Sequence, residues 1–197
     1  MKKPYSESCD QNCAPILSVI KPLLTDNKSV LEIGSGTGQH AVFFARNMPH
    51  LTWHTSDREE YLPGIQLWID EARLNNLCDP CVLDVLNSPW PAVTIDAVFS
   101  ANTAHIMHWQ QVEAMFSAIG ASLSNGNKFM LYGPFNYNNS YTSLSNETFD
   151  AWLKSRDPLS GIRNFEELDR LALRVGLELQ DDFEMPANNR LLFWKKI

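Results

Sequence analysis

The chain has 197 residues, 44% of them hydrophobic and 20% charged, a balance that suits one globular domain and excludes a mostly disordered chain. With 16 Lys and Arg against 23 Asp and Glu, the net charge of −7 is a poor basis for gripping nucleic acid or an acidic membrane. The N-terminus, MKKPYSESCDQNCAPIL, has no apolar run behind its lysines and does not read as a secretory signal. No stretch reaches the roughly 18 apolar residues of a spanning helix, and a cytoplasmic location is expected.

Asn12–Leu24 reads as a helix capped by Asn12, with Pro15 near its start. The short apolar strand Ser29–Ile33 runs straight into Gly34-Ser35-Gly36-Thr37-Gly38, and Gln39–Asn47 has helical spacing. Leu51–Ser56 reads as a strand stopping at Asp57, Tyr61–Asn75 as a helix, and Cys81–Leu83 as a brief strand ending at Asp84. Strand Ile95–Ser100, helix Gln111–Leu123 and strand Lys128–Tyr132 follow, the last closed by Gly133-Pro134. The pattern weakens over Phe135–Pro158, with one helix at Thr148–Lys154. Helix Phe165–Val175 and two closing strands, Leu177–Phe183 and Leu191–Lys195, complete the chain around a turn at Pro186–Asn189. Strand-helix alternation predicts a doubly wound α/β fold, its parallel sheet flanked by helices and edged by an antiparallel pair.

Cys9, Cys13, Cys78 and Cys81 can be drawn as a zinc site, but no glycine-rich knuckle surrounds either pair. Four reduced, partly buried thiols and no metal are the expectation.

The most informative segment is VLEIGSGTGQHA (Val30–Ala41). A strand ends, glycines alternate and a helix begins, at the carboxyl end of a strand, where open α/β sheets bind ligands. A dinucleotide site wants G-x-G-x-x-G/A, and Gln39 stands where its third small residue belongs. The spacing is instead G-x-G-x-G, with Glu32 two positions before Gly34. Asp57, at the predicted end of the second strand, is placed to accept both hydroxyls of a ribose. The loop resembles motif I of class I S-adenosylmethionine (SAM) methyltransferases. That resemblance implies SAM as cofactor, held by Glu32, Gly34, Ser35, Gly36, Gly38 and Asp57. It also places Asp84 by the adenine amino group, with a backbone contact from Val85. His40, on the first turn after the loop, either faces the cofactor or packs at the surface.

Further stretches are more specific: EIGSGTGQHAVFFA, SANTAHIMHW, LYGPFNYN, RDPLSGIRNFEELD and MPANNRLLFWK. Through them the chain is similar, from near residue 12 to its end, to an uncharacterised methyltransferase family catalogued as a domain of unknown function in bacteria and animals. The resemblance implies a Rossmann-like, seven-stranded sheet of order 3-2-1-4-5-7-6 with the last strand antiparallel. Residues 1–197 then form a single methyltransferase domain, with an N-terminal helix at 12–24 and a lid-like insert at about 133–163.

In this fold the methyl group faces the loop after strand four, here Ala101–Trp109. Ala101 is assigned to the cofactor and Asn102 to the acceptor or the methionine end of SAM. His105 is the first choice of base and His108 the second, since a neutral imidazole takes a proton near pH 7. Tyr132, Phe135 and Tyr137, with Tyr141 and Trp152, would give the insert an aromatic wall. Arg156 and Arg163 would hold a carboxylate or phosphate, or else pair with Asp157 and Glu166. Asn189 and Arg190 in the closing turn complete the acceptor set. The expected function is methyl transfer to a small molecule, without nucleic-acid or membrane partners. A protein acceptor and a non-catalytic SAM-binding role are the alternatives.

Overall fold

The computed structural model describes residues 2–197. Seven strands form one mixed sheet in the order β3-β2-β1-β4-β5-β9-β8: β1 (Ser29–Ile33), β2 (Thr52–Asp57), β3 (Leu77–Val82), β4 (Ala97–Ala101), β5 (Lys128–Gly133), β8 (Leu177–Met185) and β9 (Asn189–Lys196). Two further short strands, β6 (Phe135–Asn136) and β7 (Arg163–Asn164), pair with each other in parallel. Setting these two aside, the order is the expected 3-2-1-4-5-7-6, and β9 is antiparallel to both neighbours. No helix is long and apolar enough to cross a membrane among the described residues. The chain divides into two compact units, Met1–Ser100 and Ala101–Ile197.

In the first unit, β1 is buried from Val30 to Ile33 and pairs in parallel with β2 and β4. Helix α2 (Gln39–Asn47) brings Phe44 against Trp53 and Phe99, with ring centroids 5.5 and 5.4 Å apart. Helix α1 (Glu7–Leu23) starts five residues before the expected Asn12. Ser6 is the cap, its hydroxyl accepting from the Cys9 amide. The first turns are polar and gave no apolar period to read, and Pro15 and Pro22 both lie inside the helix. Strand β3 begins at Leu77 rather than Cys81 and contains Pro80. It is an edge strand, where a missing N–H is tolerated. Helix α3 (Leu62–Ala72) follows a short 3₁₀ turn.

In the second unit, α4 (Trp109–Ser122) and β5 build a core with β9, where Phe116, Phe129 and Trp194 pack with centroids 5.3–5.8 Å apart. The Trp194 indole N–H donates to Asp169 on α6 (Phe165–Arg174). Helix α5 spans Leu144–Arg156, longer at both ends than expected, and Ser143 caps its start. A Cβ on Gly120 would meet Val175 Cγ2 at 2.7 Å and the Val175 carbonyl oxygen at 2.8 Å. Gly120→Ala is therefore expected to lower stability in urea melts by about 2 kcal/mol, despite a gain of about 1 kcal/mol in helix propensity.

Candidate active site

The glycine loop is built by backbone. Gly34, Gly36 and Gly38 take φ of 72°, 58° and 90°, the left-handed region that glycine enters without penalty. The amides of Gly34 and Ser35 both donate to the Ser56 carbonyl at 3.0 Å, and Gly38 N–H donates to the Ser35 carbonyl. Gly36 N–H donates to Asp57 Oδ2 at 2.7 Å. The second and third glycines differ in role. A Cβ on Gly38 would press on Ile65 and Trp68 of α3 at 3.2–3.3 Å, whereas one on Gly36 would meet nothing within 4 Å. Gly36 thus lies against open space, and Asp57 points at it.

Beneath the loop, Glu32 is 1% exposed. Its Oε2 accepts from the Trp53 indole and the Ser35 hydroxyl, each at 3.0 Å. Burial pushes its carboxyl up to about 7 against the lowering pull of those two bonds. Glu32 therefore holds the loop from below. Burial also raises Asp57, opposed by its bonds from the Gly36 and Arg58 amides.

His40 is buried. Its Nε2–H donates to Asn12 Oδ1 at 2.6 Å, and its ring stacks on Phe44. Burial lowers its pKa to about 4. His40 thus packs inside rather than at the surface, and Asn12 is its partner rather than a helix cap. Gln39 joins the loop to the N-terminal segment. Its Oε1 accepts from the Ser6 amide and the Thr37 hydroxyl, and its Nε2 donates to the Ser6 carbonyl. Asp84 closes its own turn, accepting from Leu86 N–H and Asn87 Nδ2 at 2.9 Å, bonds that hold it below the usual carboxylate range. Val85 is half-buried in that turn.

Cys9 and Cys13 lie on α1, and Cys78 and Cys81 on β3. Burial pushes the Cys13 thiol up to about 12. No group of three or more His, Cys, Asp or Glu is disposed for a metal among the described residues.

In the second unit, the loop after β4 opens with Ala101 and Asn102. Asn102 is held at φ 58°, its amide donating to the Tyr132 carbonyl. His105 is buried, packs edge-on against Phe149, and its ring has no hydrogen-bond partner among the described residues. Burial, with the charge of Arg163 second, lowers its pKa to about 4. His108 is engaged elsewhere. It caps α4, taking the Gln111 side chain on its backbone N–H, and its Nε2–H donates to Asp157 at 2.6 Å.

The insert places the aromatic residues unevenly. Tyr132 and Phe135 are buried, and Tyr137 stacks on Phe165 and donates to Asp182, but Tyr141 and Trp152 are exposed. The arginines correct the pairing expected of them. Arg163 pairs with neither Asp157 nor Glu166. It donates to the carbonyls of Ala104, Met107 and Leu159, so it fastens the loop that carries His105. Arg156 lies over the exposed Trp152 ring at 4.8 Å. Arg190 is bound to Asp182 and Glu184, and Asn189 donates within its own turn. Gly161 N–H to the His105 carbonyl and Ser160 Oγ to the Ile106 carbonyl also fasten the loop. Sequence reasoning missed Gly133. A Cβ there would lie 3.6 Å from His105 Nδ1, 3.8 Å from the Phe135 ring and 4.0 Å from Asn102 Oδ1. The only signal was its place directly after a strand, where it read as a stop.

The strand order and the glycine loop after β1 together define the Rossmann-like methyltransferase fold. Residues 3–196 match the family described as protein of unknown function (DUF938), and the chain belongs to that family. Among solved structures it resembles mitomycin 7-O-methyltransferase MmcR, with TM-score 0.83 and 12% identity over 96% of this chain and 54% of that one. Human N-acetylserotonin methyltransferase, solved with SAM, gives TM-score 0.80 and 15% identity over 96% and 53%. An O-methyltransferase family 2 protein from Planctomyces limnophilus, solved with apigenin, gives TM-score 0.76 and 16% identity over 86% and 51%. The chain spans about half the length of these structures.

Proposed function

We propose that the protein is a SAM-dependent methyltransferase acting on a small molecule, with residues 1–197 working as one catalytic domain. The observation that carries this reading is the Gly36 cradle: open space where a side chain would stand, with the Asp57 carboxylate bonded to the Gly36 amide at 2.7 Å. These residues fit a nucleoside ligand. Asp57 is already anchored by two amides, and each carboxylate oxygen retains a lone pair for a ribose hydroxyl. Gly34, Ser35, Gly36 and Gly38 supply the close backbone approach, and Glu32 fixes their path. When bound, SAM supplies a methyl group on a sulfonium sulfur that is already a good leaving group.

The chain's own groups then align the acceptor, exclude water and receive a proton. His105 is proposed as the receiving base, at Nδ1. Its low pKa keeps it unprotonated at pH 7 and suits it to the more acidic hydroxyls. Asn102 is proposed to position the acceptor.

Calorimetry with SAM and S-adenosylhomocysteine tests the cofactor, and release of S-adenosylhomocysteine across a panel of phenols, alcohols, amines and thiols tests the reaction. Asp57→Ala is expected to raise the Kd for S-adenosylhomocysteine by about tenfold, with Gly36→Arg as the inactive control. Binding of SAM without turnover on any acceptor class would assign a non-catalytic role instead, and turnover only on proteins would assign the other alternative.

A further inference from the structure

Gly133 is buried at the end of β5, and the space beside its Cα is edged by two polar atoms and a ring. His105 Nδ1, Asn102 Oδ1 and Phe135 Cζ all lie within 4.0 Å of the point where a Cβ would stand. Neither polar side chain has a hydrogen-bond partner among the described residues, although His105 is 5% exposed and Phe135 1%. Neither atom is among the buried polar atoms left without a partner, so each keeps an opening to solvent through which a ligand's donor can reach it. Gly133 is absent from the positive-φ positions, so its conformation is open to alanine. Glycine's permissive backbone is thus not what this site uses; it uses the missing side chain. Asn102, by contrast, is held in the left-handed region, a strain of the kind that gathers at ligand sites.

We propose that Gly133 sets acceptor specificity: the niche over it takes a small uncharged ring compound with two neighbouring hydroxyls, one donating to His105 Nδ1 and the other to Asn102 Oδ1. The proposal rests on the methyltransferase reading and names the substrate class of the same site. The chemistry follows from what lines the niche. Phe135 and the half-buried Phe149, edge-on to His105, offer apolar walls to a flat body. In the Nε2–H tautomer Nδ1 presents a lone pair, and an amide oxygen is an acceptor only, so the ligand must bring both donors. The nearby guanidinium of Arg163 is taken up by backbone carbonyls and repels a cationic amine. The low pKa of His105 keeps that lone pair free of a proton above pH 5.

The test titrates the purified protein with catechol, phenol and 1,2-dimethoxybenzene, by calorimetry and by the ring-nitrogen NMR signals of His105. Catechol is expected to bind wild type and shift those signals, phenol to bind more weakly, and dimethoxybenzene not to bind. Gly133→Ala puts a methyl at ordinary contact distance from Nδ1, so it is expected to keep its thermal melt while weakening catechol about tenfold or more. Absence of catechol binding, equal binding of dimethoxybenzene, or unchanged affinity in a folded Gly133→Ala protein would overturn the proposal. If Gly133→Ala does not fold, the wild-type comparison of catechol with dimethoxybenzene still decides. A separate SAM titration keeps the two ideas apart: SAM binding without catechol binding removes only the niche, whereas catechol binding without SAM removes the methyltransferase reading.

Discussion

Glu32→Gln is expected to stabilise the protein by about 2 kcal/mol at pH 8.5 and to leave it little changed at pH 4.5. The carboxyl is buried beneath the glycine loop and titrates near pH 7 in the folded chain, against an ordinary 4.5. A raised carboxyl contributes stability that is fully present below its unfolded pKa and is lost as pH rises through the folded one. Above pH 7 the native state therefore carries a desolvated charge, a penalty of about 3 kcal/mol. Glutamine keeps an acceptor for the Trp53 indole and the Ser35 hydroxyl without that charge, and its own buried N–H groups take back part of the gain. Leucine is the contrasting replacement. It leaves two buried donors without an acceptor, an expected loss of about 3 kcal/mol at pH 4.5, where charge plays no part. Urea unfolding of the three proteins at both pH values checks this. A Glu32→Gln protein equally destabilised at both would show that the carboxylate, rather than the hydrogen bonds, holds the loop.

Acidification from pH 6.5 to 4 is expected to cost about 3 kcal/mol for each of His40 and His105. Both are buried and uncharged, and burial brings both to about 4 from 6.5. The unfolded chain takes up these protons first, so stability falls as pH falls through that window. Glu32 works in the opposite sense, since the folded chain already holds its proton there. The wild-type slope between pH 4.5 and 6.5 is thus close to one net proton, about 1.4 kcal/mol per pH unit. The half-buried His54, also lowered by burial, adds in the same direction. Glu32→Gln should roughly double the slope, and His40→Phe should flatten it. A flat wild-type profile over this range would contradict the burial of both imidazoles.

The sheet order and the glycine loop were legible because they rest on local signals: a strand running into alternating glycines, and Asp57 at the end of the next strand. Asp57 does face Gly36, its Oδ2 accepting from that amide. What failed to show was the choice of partner. His108 and Asp157 are 49 positions apart and Arg190 and Asp182 eight, and no periodicity announces either pair. Arg163 read either as a ligand for an anion or as the partner of a carboxylate, and nothing local announced its three carbonyl partners, 59, 56 and 4 positions away. Pro80 hid most of β3 by resembling a breaker, since edge position is a property of the sheet and not of the segment. The start of α1 was hidden because a polar helix turn held by one serine has no apolar stripe.

Gln39 has a consequence for how the N-terminus behaves. Its carboxamide meets both the N–H and the C=O of Ser6, just as a neighbouring strand would. The opening turn of α1 is thereby tied to the same bend that carries Gly36 and Gly38. Order in one is order in the other: a ligand that quiets the bend is expected also to shield the opening turn of α1 from proteases and slow its amide exchange. The opening turn of the first helix is thus a built-in gauge of whether the bend is occupied, readable without knowing the reaction.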